Sequence, residues 1–210
     1  MGDNALSAIP DSIVLDRLIR ERVDAILAER LEARLVELKA AKTPSMTIIA
    51  TKGTLDWAYP PFILASTAAA LGWNVSVFFT FYGLELLKQD LSGLQVSPLG
   101  NPAMPMKMPF GPAWFKSLRW NIPNAMQSIV PGFEAFATSM MKKTISNNGV
   151  APIAELRESC IEADVQLIGC QMTVDLFGYK REDFIPQVKD YCGAATFLPM
   201  ARDADVSLFI

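Results

Sequence analysis

A chain of 210 residues, 51% of them hydrophobic, is long enough for one domain with a sizeable core plus an appendage. A net charge of −3 supplies no field toward nucleic acid or an anionic membrane, and the absence of histidine excludes a Cys-His pair, a Ser-His-Asp triad and a His-rich metal site. Three cysteines, an odd number, make no disulfide framework, and no secretory leader pattern opens the chain, so a cytoplasmic protein with free thiols is expected.

Residues 1–10 read as a tail. Residues 11–42 carry 14 of the 41 charged residues. Leu15, Ile19, Val23, Ile26, Leu31, Leu35 and Leu38 recur there at steps of three to five, which predicts a charged amphipathic helix. Asp11 or Ser12 can cap its start and Pro44 closes it. The apolar stripe is narrow and long, and would pack on another subunit or on the body of its own domain.

After Pro44 the punctuation becomes that of an α/β domain, residues 43–210. Met46 to Thr51 is the first strand, followed by the turn Lys52-Gly53-Thr54-Leu55-Asp56. From Trp57 to Leu84 no residue is charged, long enough to suggest a membrane span. Pro60, Pro61, Gly72 and Asn74 divide the stretch, however, and favour a buried helix opened by the prolines and ended at Leu71. A buried strand from Asn74 to Thr80 follows, apolar on both faces. Gly83 to Lys88 begins a short helix, and Val96 to Leu99 is a candidate third strand. An insertion near 100–130 then crowds Met104, Met106, Met108, Met126, Trp114, Trp120 and Phe110 with prolines and three cations, Lys107, Lys116 and Arg119. It reads as a hydrophobic flap that could also receive an acidic carrier protein or lie on a membrane surface.

Helices are predicted from Phe133 to Ile145 and from Ala151 to Glu162, with Cys160 on the apolar face of the second beside Ile153 and Leu156. A strand ends at Cys170, with a helical turn directly behind it. A helix from about Arg181 to Asp190, a strand from Ala194 to Leu198 and a last strand from Val206 to Ile210 complete the chain. Such alternation predicts a parallel sheet with helices on both faces. At the carboxyl end of a parallel strand, Cys170 would face helix amides that stabilise a thiolate, the nucleophilic form of cysteine.

The segment Gly169-Cys170-Gln171-Met172-Thr173-Val174-Asp175-Leu176-Phe177-Gly178 resembles the cysteine motif of the DsrE/DsrF-like sulfur-transfer family, in particular its larger, peroxiredoxin-like-labelled subgroup. The opening strand with Thr51 to Asp56 and the apolar helix after it are also similar, so the resemblance covers about residues 46–210. It implies a flavodoxin-like α/β fold, a homo-oligomer, and a cysteine that carries sulfane sulfur as a persulfide. It implies TusA-like sulfur carriers and rhodaneses as partners. The arm at 11–42 is an addition that the smallest members lack.

Cys170 is therefore the candidate nucleophile of a sulfur carrier or sulfurtransferase, with Gly169 allowing close approach. Thr173 could donate a hydrogen bond to the sulfur. Asp175, whose charge would raise a thiol pKa, is assigned to capping or holding the turn. Gly53, Thr54 and Asp56 should border the same sheet edge, their amides cradling a polar or anionic sulfur species, and Tyr82 could line the same crevice. The Gly-Thr turn has no P-loop or Gly-x-Gly-x-x-Gly pattern, so no nucleotide cofactor is expected; no metal is expected either, in a chain without histidine. Cys192 could be a second sulfur acceptor or a resolving thiol. Placed at the amino end of a strand, though, it would sit on the opposite sheet edge from Cys170, out of reach and structural. The rival readings are a thiol-based redox protein working through a sulfenate, and a non-catalytic assembly or membrane-associated adaptor.

Overall fold

The computed structural model describes residues 12–96, 110–118 and 129–210. They fall into two units, one ending at Thr43 and one running from Pro44 to Ile210. The first is a single helix, α1, Ser12–Ala41. At 100° per residue, its Leu15, Ile19, Val23 and Ile26 cluster within about 80°, and Leu31, Leu35 and Leu38 within about 60°, around a direction turned by roughly 130°. The expected single stripe is thus broken halfway along the helix, and Val14, Leu18 and Val36 place further exposed apolar side chains outside both clusters. The seven clustered side chains are exposed in the single chain too.

The second unit is built on five parallel strands: β1 Ser45–Ala50, β2 Asn74–Phe79, β3 Gln166–Cys170, β4 Asp190–Cys192 and β5 Val206–Phe209. Their order is β4-β3-β2-β1-β5. With α2 Leu55–Ala70, α3 Ala113–Ser117, α4 Phe133–Asn147, α5 Ile153–Glu162, α6 Gln171–Phe177 and α7 Ala194–Asp203, this is the expected flavodoxin-like α/β class.

One face of the sheet presents Met46, Ile48, Ala50, Val75, Val77, Phe79 and Leu167. Against them α2 turns Leu55, Ala58, Phe62, Ala65 and Ala68, spaced three and four apart, and α5 adds Ile153 and Cys160. On the opposite face Phe78, Ile168 and Cys170 meet Phe197 of α7, with the Phe78 and Phe197 rings stacked at 4.6 Å. That second face is apolar only at its carboxyl half. Toward the amino ends it carries a hydroxyl pair, Thr47–Ser207 at 3.0 Å, and Ser76 donating to Gln166 at 2.9 Å.

Several element boundaries depart from the sequence reading. Helix α2 starts at Leu55 rather than at the prolines, because Leu55 and Ala58 are core residues and the Thr54 carbonyl accepts from the Trp57 and Ala58 amides. Pro60 and Pro61 lie inside it. The turn after β2 is a 3-10 helix, Phe81–Leu87. The predicted helix at 181–190 is only a 3-10 turn, Arg181–Asp183. Beyond it the Ile185 amide donates to the Leu87 carbonyl, and Phe184 and Ile185 are buried against that loop. The predicted strand 194–198 is helix α7, since Phe197 and Ala201, four apart, both pack on the sheet, and the strand lies earlier, as β4. Val96 is in no strand; its amide donates to Thr138 Oγ1 of α4, and residues 97–99 lie outside the described residues. So do residues 1–11 and most of the insertion, with Met104, Met106, Lys107, Met108, Arg119, Trp120 and Met126. Among the described residues no helix is long and apolar enough to cross a membrane.

Candidate functional site

Cys170 closes β3, and α6 begins at the next residue. The alternation that buries Leu167 on one face sends Ile168 and Cys170 to the other, so the thiol is 3% exposed beside Phe78 and Phe197. Burial opposes its ionisation. The hydroxyls of Thr173 and Thr80 and the amides of Thr173 and Met172 outweigh that, holding the thiol pKa below its ordinary value. The sulfur closes no capping bond on the helix. The same donors bind a thiolate more strongly than a thiol, because the charged sulfur is the better acceptor.

The polar set around the sulfur is itself ordered. Thr173, 0% exposed, accepts the Phe81 amide at 3.2 Å and meets the Thr80 hydroxyl at 3.2 Å. Each hydroxyl has one proton: when Thr80 donates to Thr173, the Thr173 proton is left for the sulfur, and when Thr173 donates to Thr80, the Thr80 proton is. The Phe81 amide is aimed by a left-handed backbone, φ 49°, a conformation that costs a bulky residue energy and is held by its surroundings. Thr80 was missed by sequence reasoning. Its signal was a hydroxyl at the end of the strand that neighbours the cysteine strand.

The rim is apolar and aromatic. Phe81, Tyr82, Met172, Leu176 and Phe177 are all exposed, with Tyr82 stacked on Phe177 at 5.8 Å and Phe81 edge-on to it at 6.4 Å. Asp175 is exposed and accepts from Gln171 Nε2 at 2.8 Å, holding the first turn of α6. Gly169 is forced by a neighbour, since a Cβ there would lie 2.8 Å from the Tyr191 ring.

Gly53, Thr54 and Asp56 follow β1 at the carboxyl edge of the sheet, the edge at which β3 ends in Cys170. Gly53 and Thr54 line a separate cleft of about 520 Å³ together with Glu85, Lys88, Asp90 and Glu134. Its charged lining is three carboxylates to one lysine, and Cys170 is not in its wall. Gly53 is required for close approach, because a Cβ there would stand 2.2 Å from the Tyr82 carbonyl oxygen. Thr54 Oγ1 and Asp56 Oδ1 are buried without partners. Among the described residues no group of three or more Cys, Asp or Glu is placed to hold a metal ion.

Cys192 is where the structure departs most from expectation. It ends β4 instead of opening a strand, and β3 and β4 are adjacent and parallel with Cys170 and Cys192 as register partners. It is half-buried and packs in the same cluster as Cys170. Burial raises its pKa, and the charges of Cys170 and Asp190 raise it further. Cys160 lies in the core as predicted, donating to the Phe62 carbonyl at 3.4 Å, and burial pushes its thiol up to about 11 against the pull of Ser66.

Comparison with known proteins sets this geometry in context. Residues 42–209 match the model of the DsrE/DsrF/DrsH-like family. The sulfur carrier protein DsrE2 of Allochromatium vinosum is 54% identical over 165 residues, covering 79% of this chain and 97% of that protein. The uncharacterized protein YrkE of Bacillus subtilis is 28% identical over 169 residues, covering 80% of this chain and 98% of that protein.

Proposed function

The chain belongs to the DsrE/DsrF/DrsH-like family, and from that premise we propose that it is a sulfur carrier that holds sulfane sulfur as a persulfide on Cys170. The observation that carries the reading is the Cys170 thiol at a strand end, where hydroxyl and amide donors hold its pKa below the ordinary value. The name of the Allochromatium protein, a sulfur carrier, supports the same class.

In the loading step the Cys170 thiolate attacks the outer sulfur of a donor persulfide. A new S–S bond forms on Cys170 as the donor's S–S bond breaks, and the electron pair leaves on the donor's own sulfur as a thiolate. In the hand-over an acceptor thiolate attacks the outer sulfur, and Cys170 departs as the thiolate that Thr173 and Thr80 are placed to receive. Neither step needs an oxidant, because one sulfur atom moves between equivalent disulfide-type bonds. A low leaving-group pKa speeds the second step, which is what the donors at Cys170 supply. The partners proposed are a small TusA-like carrier and a rhodanese-type donor, in a reducing cytoplasm, with the apolar rim of Phe81, Tyr82 and Phe177 as the surface they would meet.

The test is to incubate the reduced protein with inorganic polysulfide and take its intact mass beside Cys170→Ser. Added mass in steps of one sulfur atom, absent from Cys170→Ser, is the expected result. A wild-type protein that gains nothing would sink the carrier reading.

A further inference from the structure

We propose that Cys170 and Cys192 form a two-thiol relay, in which sulfane sulfur taken up on Cys170 is passed to Cys192 before it leaves the protein. The inference rests on the carrier reading above and adds the second station.

Three observations lead to it. The two cysteines are register partners at the carboxyl ends of neighbouring parallel strands. Such partners stand about 4.8 Å apart at Cα, within the roughly 4.4–6.8 Å that a disulfide spans. Both side chains belong to one cluster with Phe78, Ile168 and Phe197, so they project from the same face of the sheet. Their exposures differ: Cys170 is buried and Cys192 half-buried, which makes Cys192 the thiol nearer to an arriving protein partner.

The chemistry balances within the pair. The persulfide anion on Cys170 takes the proton of the Cys192 thiol, and the Cys192 thiolate then attacks the protonated outer sulfur. The Cys170–sulfur bond breaks, its electron pair stays on Cys170 as thiolate, and Cys192 holds the persulfide with the proton. The persulfide itself serves as base, so a chain without histidine can run the step. The direction follows from the surroundings. Thr173 and Thr80 favour a thiolate on Cys170, whereas burial first, and then the charges of Cys170 and Asp190, disfavour one on Cys192.

The measurement is a time course on the wild-type protein loaded with limiting inorganic polysulfide, quenched by alkylation and mapped by peptide mass. The relay predicts persulfide first on the Cys170 peptide and later on the Cys192 peptide. Cys170→Ser should leave Cys192 unloaded at the same times, and Cys192→Ser should load at Cys170 but deliver sulfur to glutathione severalfold more slowly. Cys192→Ala, checked by thermal melting, repeats that arm with a different side chain. Sulfur that stays on Cys170 in the wild type, with unchanged delivery from both Cys192 variants, would overturn the relay and leave the carrier reading standing. Release of hydrogen sulfide with a Cys170–Cys192 disulfide would also overturn it, in favour of thiol redox chemistry. No sulfur on either peptide of the wild type would overturn the carrier reading and the relay together.

Discussion

The Cys170 thiolate is favoured by hydroxyl and amide dipoles, and among them the Thr173 hydroxyl is the most constrained. It accepts the Phe81 amide and meets Thr80 while lying wholly buried. Thr173→Val keeps the shape and removes the donor. The loss of one hydrogen bond to a charged group, about 1.5–3 kcal/mol, should slow alkylation of Cys170 by iodoacetamide at neutral pH by roughly tenfold or more. At pH about 10 an ordinary thiol is itself largely ionised, so the rates of the two proteins should converge. Equal rates at neutral pH would mean that the amides of α6 hold the thiolate without help. The linkage has a matching sign. Because the folded pKa of Cys170 is lowered, its thiolate contributes stability that is fully present above the ordinary thiol value of 9.0 and is lost as pH falls through the folded value.

Elements differ in what their thiols do, and helix α5 carries the opposite case. Cys160, 0% exposed between α5 and α2, has its thiol pushed by burial up to about 11 from an ordinary 9.0. A raised value means stability that is complete below pH 9 and is lost as pH rises toward 11, by roughly 2–3 kcal/mol. Urea unfolding between pH about 8 and about 11 should show this fall, and Cys160→Ala should show a smaller one. Tyr59, Tyr179 and Tyr191, also raised by burial, contribute in both proteins, so the difference between the two curves isolates Cys160. An identical slope in the variant would refute the assignment. The contrast also shows what the sequence could convey. Cys160 as core and Cys170 as strand end followed from periodicity and from the Gly169-Cys170 junction. Cys192 did not, because Ala194 to Leu198 carries apolar residues that suit a strand or a helix face, and only packing of Phe197 and Ala201 on the sheet decides for the helix. Once α7 takes those residues, β4 must end at Cys192, and the thiol moves from one sheet edge to the other. Thr80 was hidden for a related reason: adjacency of β2 and β3 is a property of strand order, which local pattern does not encode.

At the scale of the whole molecule, the chain joins a sheet unit with its own core to a charged helix that the family match does not include. The match begins at residue 42, and the core residues found on both sheet faces all lie beyond Pro44. Folding of the sheet and loading of its thiol should therefore be independent of the arm. Deleting residues 1–42 should leave a single cooperative thermal transition by circular dichroism, within a few degrees of the full chain, and the same sulfur uptake on Cys170. A broad, non-cooperative melt would show that the arm completes the core. What the arm adds follows from its two offset apolar clusters. One straight seam would serve one partner surface along its whole length, whereas clusters turned by roughly 130° about the axis present Leu15, Ile19 and Val23 to one side and Leu31, Leu35 and Leu38 to another. We propose that this is an assembly function, with each half of the helix meeting a different neighbour in a homo-oligomer. Light scattering then has a defined outcome: the full chain should have a mass of several protomers and the truncated chain a smaller one, with sulfur uptake per protomer unchanged. Equal masses would remove the arm from assembly and leave the oligomer, if present, to the sheet unit.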